Sequence, residues 1–98
     1  MKYTIETTDQ FDKWLKTLKD KQAIKAILMR LMRAEQGNLG DIKPLGGNLS
    51  EMRIFIGKGY RLYFTIKDNR LIFIINAGNK STQSHDIKFA KAKLNQME

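Results

Sequence analysis

The sequence predicts an α+β fold of order βααβββα, with a helical hairpin and a C-terminal helix packed on one face of a mainly antiparallel sheet. Three observations carry this. Apolar residues recur at helical spacing twice near the start and once at the end. Between these segments lie three short runs rich in β-branched and aromatic residues, each bounded by turn residues. Helices and strands grouped in that order suit helices segregated to one face of a small sheet.

Taken in order, Lys2 to Glu6 alternates weakly and reads as a first strand. Thr7-Thr8 offers a helix N-cap, with Gln10 three residues after Thr7 as in a capping box. Phe11, Trp14, Leu15 and Leu18 then follow the i, i+3, i+4, i+7 spacing of one helical face, so Trp14 belongs to the core. Asp20 caps a second helix whose Ile24, Ile27, Leu28 and Leu31 repeat that spacing. Met29 and Met32 read as gap-fillers. Gly37 ends this helix, behind a basic last turn with Arg30 and Arg33 that suits the negative end of the helix dipole.

"GNLGDIKPLGG", residues 37 to 47, holds four glycines and the only proline. It reads as loop with room for one short strand. Strands are expected at about 50 to 57, 59 to 66 and 71 to 77, with Lys67-Asp68-Asn69-Arg70 as the second turn. A last helix from about 83 places Ile87, Ala90, Leu94 and Met97 on one side.

The 98 residues make one domain, 1–98, with a single modest core. No cysteine is present, which excludes a disulfide framework, a thiolate nucleophile and a cysteine zinc site. The lone histidine, His85, excludes a histidine-rich metal centre. Met1-Lys2-Tyr3-Thr4 leads into a strand-like segment and not into an apolar signal core. Leu71 to Ile75 is too short to span a bilayer. A cytoplasmic domain with no cofactor, no metal and no membrane association is expected. The net charge of +8 favours polyanionic partners through counterion release, but net charge speaks to association and not to fold.

Position matters more. In "MRIFIGKGYRLYFTI", residues 52 to 66, two apolar strands flank a tight Gly57-Lys58-Gly59 turn. With a three-residue loop, Ile56 faces Tyr60, Ile54 faces Leu62 and Met52 faces Phe64. The other side then pairs Phe55 with Arg61 and Arg53 with Tyr63. A one-residue slip spoils both faces. Arginines interleaved with rings suit single-stranded RNA, because rings stack bases and guanidinium forks hold phosphates. The same pattern also arises when arginines merely cover aromatic neighbours.

"GNLGDIKPLGG", "EMRI", "GKGYRLYF" and "GNKSTQSHDI", in this order, resemble the RelE-like toxins of type II toxin–antitoxin modules, in particular the addiction-module killer-protein, phage-derived HigB-like branch. The likeness runs from the Trp14-Leu15 helix to Ala90. One departure is "NAGNKSTQ", which lacks the second glycine and the aspartate expected before the lysine but keeps Lys80. The resemblance implies a small RelE-like fold and a ribosome-dependent mRNA endonuclease (an mRNA interferase) neutralised by a cognate antitoxin. It implies that Lys43, Arg53, Arg61 and Lys80 hold the mRNA backbone. Some relatives add a tyrosine in the C-terminal segment, where this chain reads "SHDI".

Metal-free RNA cleavage needs a base for the 2′-hydroxyl, cations for the phosphorane and a proton for the leaving oxygen. Arg61, helped by Lys80 or Arg53, is the expected electrostatic stabiliser. A lysine crowded by other cations makes a usable base, and Lys43 is the candidate. His85 is the candidate proton donor, set against an ordinary exposed histidine in the first turn of a helix. Phe55, Tyr63, Lys58 and Gln83 join Arg53 as RNA-binding candidates. Asp41, Glu51 and Asp86 are expected to pair with the surrounding lysines, or Glu51 to orient Arg53. Two alternatives stay open: a ParE-like toxin directed at DNA gyrase, and an RNA-binding domain without chemistry.

Overall fold

A computed structural model describes residues 2–97; Met1 and Glu98, both within the expected domain, lie outside the described residues. The elements are β1 (Thr4–Thr7), α1 (Asp9–Thr17), α2 (Lys21–Glu35), β2 (Ile42–Gly46), β3 (Leu49–Ile54), β4 (Tyr60–Lys67), β5 (Leu71–Asn79), a 3₁₀ turn (Lys80–Thr82) and α3 (Gln83–Met97). The sheet order is β1-β5-β4-β3-β2. Among the described residues only the β1–β5 pair is parallel. The expected α+β class and mainly antiparallel sheet are therefore present, with β2 added as an edge strand.

Local chemistry explains the boundaries. The Thr8 hydroxyl caps α1 by accepting from the Phe11 amide (3.1 Å), so the cap is Thr8 alone and no box with Gln10 forms. Asp20 caps α2, accepting from the Gln22 and Ala23 amides at 3.0 and 3.2 Å. Asp68 and Asn69 both take positive φ (56° and 54°), the conformation of a type I′ hairpin turn.

One core forms where α1 and α2 lie on the sheet: Phe11, Ala23, Ile27 and Ala34 meet Met52, Leu62, Phe64, Ile72 and Ile74. Each large side chain buried there is worth about 1.5–3 kcal/mol. Trp14 packs partly buried at its margin, 6.0 Å from the Phe11 ring and 6.1 Å from that of Tyr60. The inward face of α2 differs from expectation. Ala23, Ile27 and Ala34 are buried, whereas Leu28, Met29 and Met32 are exposed. Apolar residues surround most of this helix, so spacing alone does not select the stripe. The two alanines do, because small side chains let the helix approach the sheet closely.

The C-terminal helix corrects a second expectation. It does not share a face with the helical hairpin. A separate cluster of Leu49, Tyr63, Ile75, Ala90 and Leu94, with Ile87 and Phe73 against it, places α3 on the opposite face. The physical reason lies in β4 and β5, where apolar residues run without alternation through Leu62-Tyr63-Phe64 and Leu71 to Ile75. Strands apolar on both faces need cover on both.

Candidate nucleic-acid interface

The hairpin β3–β4 has a different register from the one expected. Strand β3 stops at Ile54 and β4 starts at Tyr60, so the loop is Phe55 to Gly59. Amide-to-carbonyl bonds Ile56→Ile54 and Gly59→Ile56 (both 3.0 Å) close it, with Gly57 and Gly59 at positive φ. Arg53 consequently lies opposite Arg61, Ile54 opposite Tyr60 and Glu51 opposite Tyr63. The shift is by two residues, which preserves the face of every side chain. That is why the core residues were placed correctly while the partners were not.

Two rows of side chains cross the face that carries α3. One contains Lys43, Glu51, Tyr63 and Asn76; the next contains Arg53, Arg61 and Gly78. The arginines have separate carboxylate partners. Arg53 Nη2 donates to Asp41 Oδ1 at 2.8 Å, and this pair is partly exposed. The Asp41 hydrogen bond is the main reason that the Arg53 guanidinium is held above its ordinary pKa. Arg61 is only 9% exposed; its Nη1 donates to the Gly59 carbonyl (3.3 Å) and its Nε lies 3.8 Å from Glu51 Oε2. Glu51, at 1% exposed, also accepts from Gln83 Nε2 at 3.3 Å. Glu51 thus faces Arg61 and not Arg53.

The remaining candidates divide. Lys80 begins the 3₁₀ turn beside the hairpin loop, its amide donating to the Lys58 carbonyl at 3.4 Å. A Cβ built on Gly59 lies 3.7 Å from Lys80 Cβ and 3.8 Å from Arg61 Nη1, so this glycine separates the two cations. Lys58, Lys80 and Lys43 are exposed. Phe55 is 73% exposed and sits under the Arg53 guanidinium, 5.7 Å from ring centroid to Cζ. Tyr63 is the clearest correction: fully buried beneath α3, it has no face to offer a base. Burial, then the Glu51 and Asp86 carboxylates, push its phenol well above the ordinary tyrosine range.

Lys43 stands opposite a carboxylate, Glu51, so the crowding by cations that a lysine base needs is not its setting. His85 is exposed on the first turn of α3. Gln83 is committed to Glu51. Asp86 accepts from Thr82 Oγ1 instead of pairing with a lysine. Among the described residues, no group of three His, Asp or Glu side chains is placed to hold a metal.

Arg30 was legible only as a helix-end cation, yet it organises the edge of this site. Its Nη1 donates to the Arg53 carbonyl (2.6 Å), and its Nη2 to the carbonyls of Leu39 (3.1 Å) and Asp41 (3.0 Å). Burial is the main cause lowering its pKa. Gly40, at φ +70°, leaves room for that guanidinium: a Cβ there would lie 2.8 Å from Arg30 Nε. No local sequence pattern marks an arginine that spans three carbonyls.

A five-stranded sheet with a helical hairpin on one face and a C-terminal helix on the other is a RelE-like fold. The chain superposes on the free Escherichia coli RelE toxin carrying two arginine-to-alanine changes with a TM-score of 0.74, at 17% identity over 95% of this chain and 97% of that one. The RelBE2 toxin–antitoxin complex of Mycobacterium tuberculosis gives 0.65, at 21% identity over 82% of this chain and 100% of that one. These likenesses establish the fold.

The chain belongs to the family of phage-derived Gp49-like proteins (DUF891), whose pattern matches residues 13–97. An uncharacterized protein of Haemophilus influenzae is 43% identical over 91 residues, covering 93% of this chain and 92% of that one. No helix among the described residues is long and apolar enough to cross a membrane.

Proposed function

We propose that this chain is the toxin of a toxin–antitoxin module and inhibits translation by metal-free cleavage of ribosome-bound mRNA in the cytoplasm. The observation that carries this is Arg53 directly opposite Arg61 on paired strands, with Lys80 and Lys58 at the adjoining loop. Strands hold the arginine backbones rigidly, which preorganises their charge for a phosphate. In the proposed reaction the 2′-oxygen loses its proton and attacks the adjacent phosphorus. The bond to the 5′-oxygen then breaks, and that oxygen takes up a proton. Arg61 stabilises the charge that builds on the phosphorane, while Arg53 and Lys80 grip flanking phosphates and Phe55 stacks on a base. A cognate antitoxin with acidic segments is the expected partner, since complementary charge speeds association with a basic site.

The test is primer extension on cellular mRNA after induced expression, with growth rescue by the adjacent small gene. Discrete breaks within translated message are expected. Intact message with stalled replication would move the target to gyrase, and bound but uncut RNA would leave a binding domain without chemistry.

A further inference from the structure

We propose that Glu51 is the positioning residue for Arg61, acting through the guanidinium and not on RNA itself. This rests on the reading of Arg61 as the phosphate-facing arginine.

A carboxylate that is 1% exposed in a central strand is costly: desolvating it takes several kcal/mol, and an apolar side chain of similar size serves packing at least as well. Its partners give it a use. Glu51 Oε1 is held from one side by Gln83 Nε2 (3.3 Å), a residue of the first turn of α3. Its Oε2 lies 3.8 Å from the Nε of Arg61, an ion-pair distance, and this buried Nε has no hydrogen-bond partner among the described residues. The carboxylate therefore addresses the inner edge of the guanidinium. Nη1 is turned the other way, to the Gly59 carbonyl, on the side where Lys80 lies.

The cross-strand pairing makes such a counter-charge necessary. Arg53 and Arg61 are directly opposite, and like charges in that relation repel. Arg53 is satisfied by Asp41 at the exposed edge, which leaves Arg61 dependent on Glu51. Burial keeps Glu51 from reaching a 2′-hydroxyl, so a base role does not fit.

Two measurements on the full chain decide this. The first is the cleavage rate of ribosome-bound mRNA for wild type, Glu51→Gln, Arg61→Lys and the double variant. Glu51→Gln should cost roughly 10–100-fold in rate at saturating ribosomes, the scale of losing a supporting partner. In the Arg61→Lys background it should cost less than about 3-fold more, because partners in one network are not additive. Full multiplication of the two effects would overturn the proposal.

The second measurement is the ¹H–¹⁵N spectrum of arginine Nε–H groups in the free protein. The Arg61 signal, identified by its loss in Arg61→Lys, should exchange slowly in wild type and at least about tenfold faster in Glu51→Gln. An unchanged exchange rate would overturn the proposal whether or not the protein cuts RNA. If wild type cuts nothing, the reaction falls, and this spectrum still decides whether Glu51 holds Arg61. Glu51→Asp, which keeps the charge but withdraws it by one methylene, replaces Glu51→Gln should that variant not fold. It should show intermediate losses in both measurements, and wild-type behaviour in both would equally overturn the proposal.

Discussion

Arg53 and Arg61 are direct cross-strand partners on β3 and β4, and each is neutralised by its own carboxylate, Asp41 and Glu51. The two ion pairs differ in kind. The Asp41 pair is short and partly exposed, whereas the Glu51 pair is longer and buried. Their mutational signatures should differ accordingly.

Loss of Arg61 should affect activity and folding together. Arg61→Ala is expected to lower cleavage by about 10²–10³-fold. It also leaves the buried Glu51 carboxylate unpaired, with a stability loss of about 3 kcal/mol. Arg61→Lys should recover most of the stability and only part of the rate, since an ammonium cannot reproduce the fork. Urea melts alongside cleavage assays separate the two effects.

Loss of Arg53 should act on binding. The Asp41 pair is exposed and screened by solvent, so it adds little to stability. Arg53→Ala should leave the melting temperature nearly unchanged while reducing the salt dependence of ribosome affinity by about one unit of logarithmic slope. An unaltered slope would remove Arg53 from the phosphate contacts.

Arg30 should prove structural. Arg30→Ala strips the Arg53, Leu39 and Asp41 carbonyls of their donor, for an expected loss of about 3 kcal/mol. Arg30→Lys should rescue little, because one compact ammonium cannot span three acceptors. A urea midpoint for Arg30→Lys near that of wild type would contradict this.

Gly78 should tolerate no side chain. It lies opposite Arg61, and a Cβ there would run into the Asp86 carboxylate and the Thr82 hydroxyl, 2.6 Å away. Gly78→Ala should push the start of α3 off the sheet and cost about 1–3 kcal/mol, as overpacking does. Faster amide exchange over residues 80–86 would report the displacement.

Tyr63 should make the protein alkali-sensitive. Its phenol is raised in the folded state above the ordinary value of about 10, so the unfolded chain releases this proton first. The stabilising contribution is complete below about pH 10 and is lost as pH rises from there towards the folded value. Tyr63→Phe removes this loss. Melting temperatures at pH 8 and 11 should therefore fall less for the variant than for wild type.

The sequence by itself determined the elements and their chemistry. Helical spacing located α1 and α3, Asp20 announced the start of α2, and Asp68-Asn69 marked the β4–β5 turn. Period-two alternation put Met52, Ile54, Tyr60, Leu62 and Phe64 on one face and both arginines on the other. These features depend on neighbours in the chain, so local patterns record them.

Only the tertiary structure decided which groups meet. A two-residue shift leaves the face pattern unchanged, so alternation could not distinguish Arg61 opposite Phe55 from Arg61 opposite Arg53. The side of the sheet that α3 covers was likewise open, and its choice turned Tyr63 from an expected base-stacking ring into buried core. Arg30 spans carbonyls from two distant segments, and Glu51 joins β3 to β4 and α3. Such contacts form between residues far apart in sequence, and their energies depend on burial and distance, which exist only once the chain has folded.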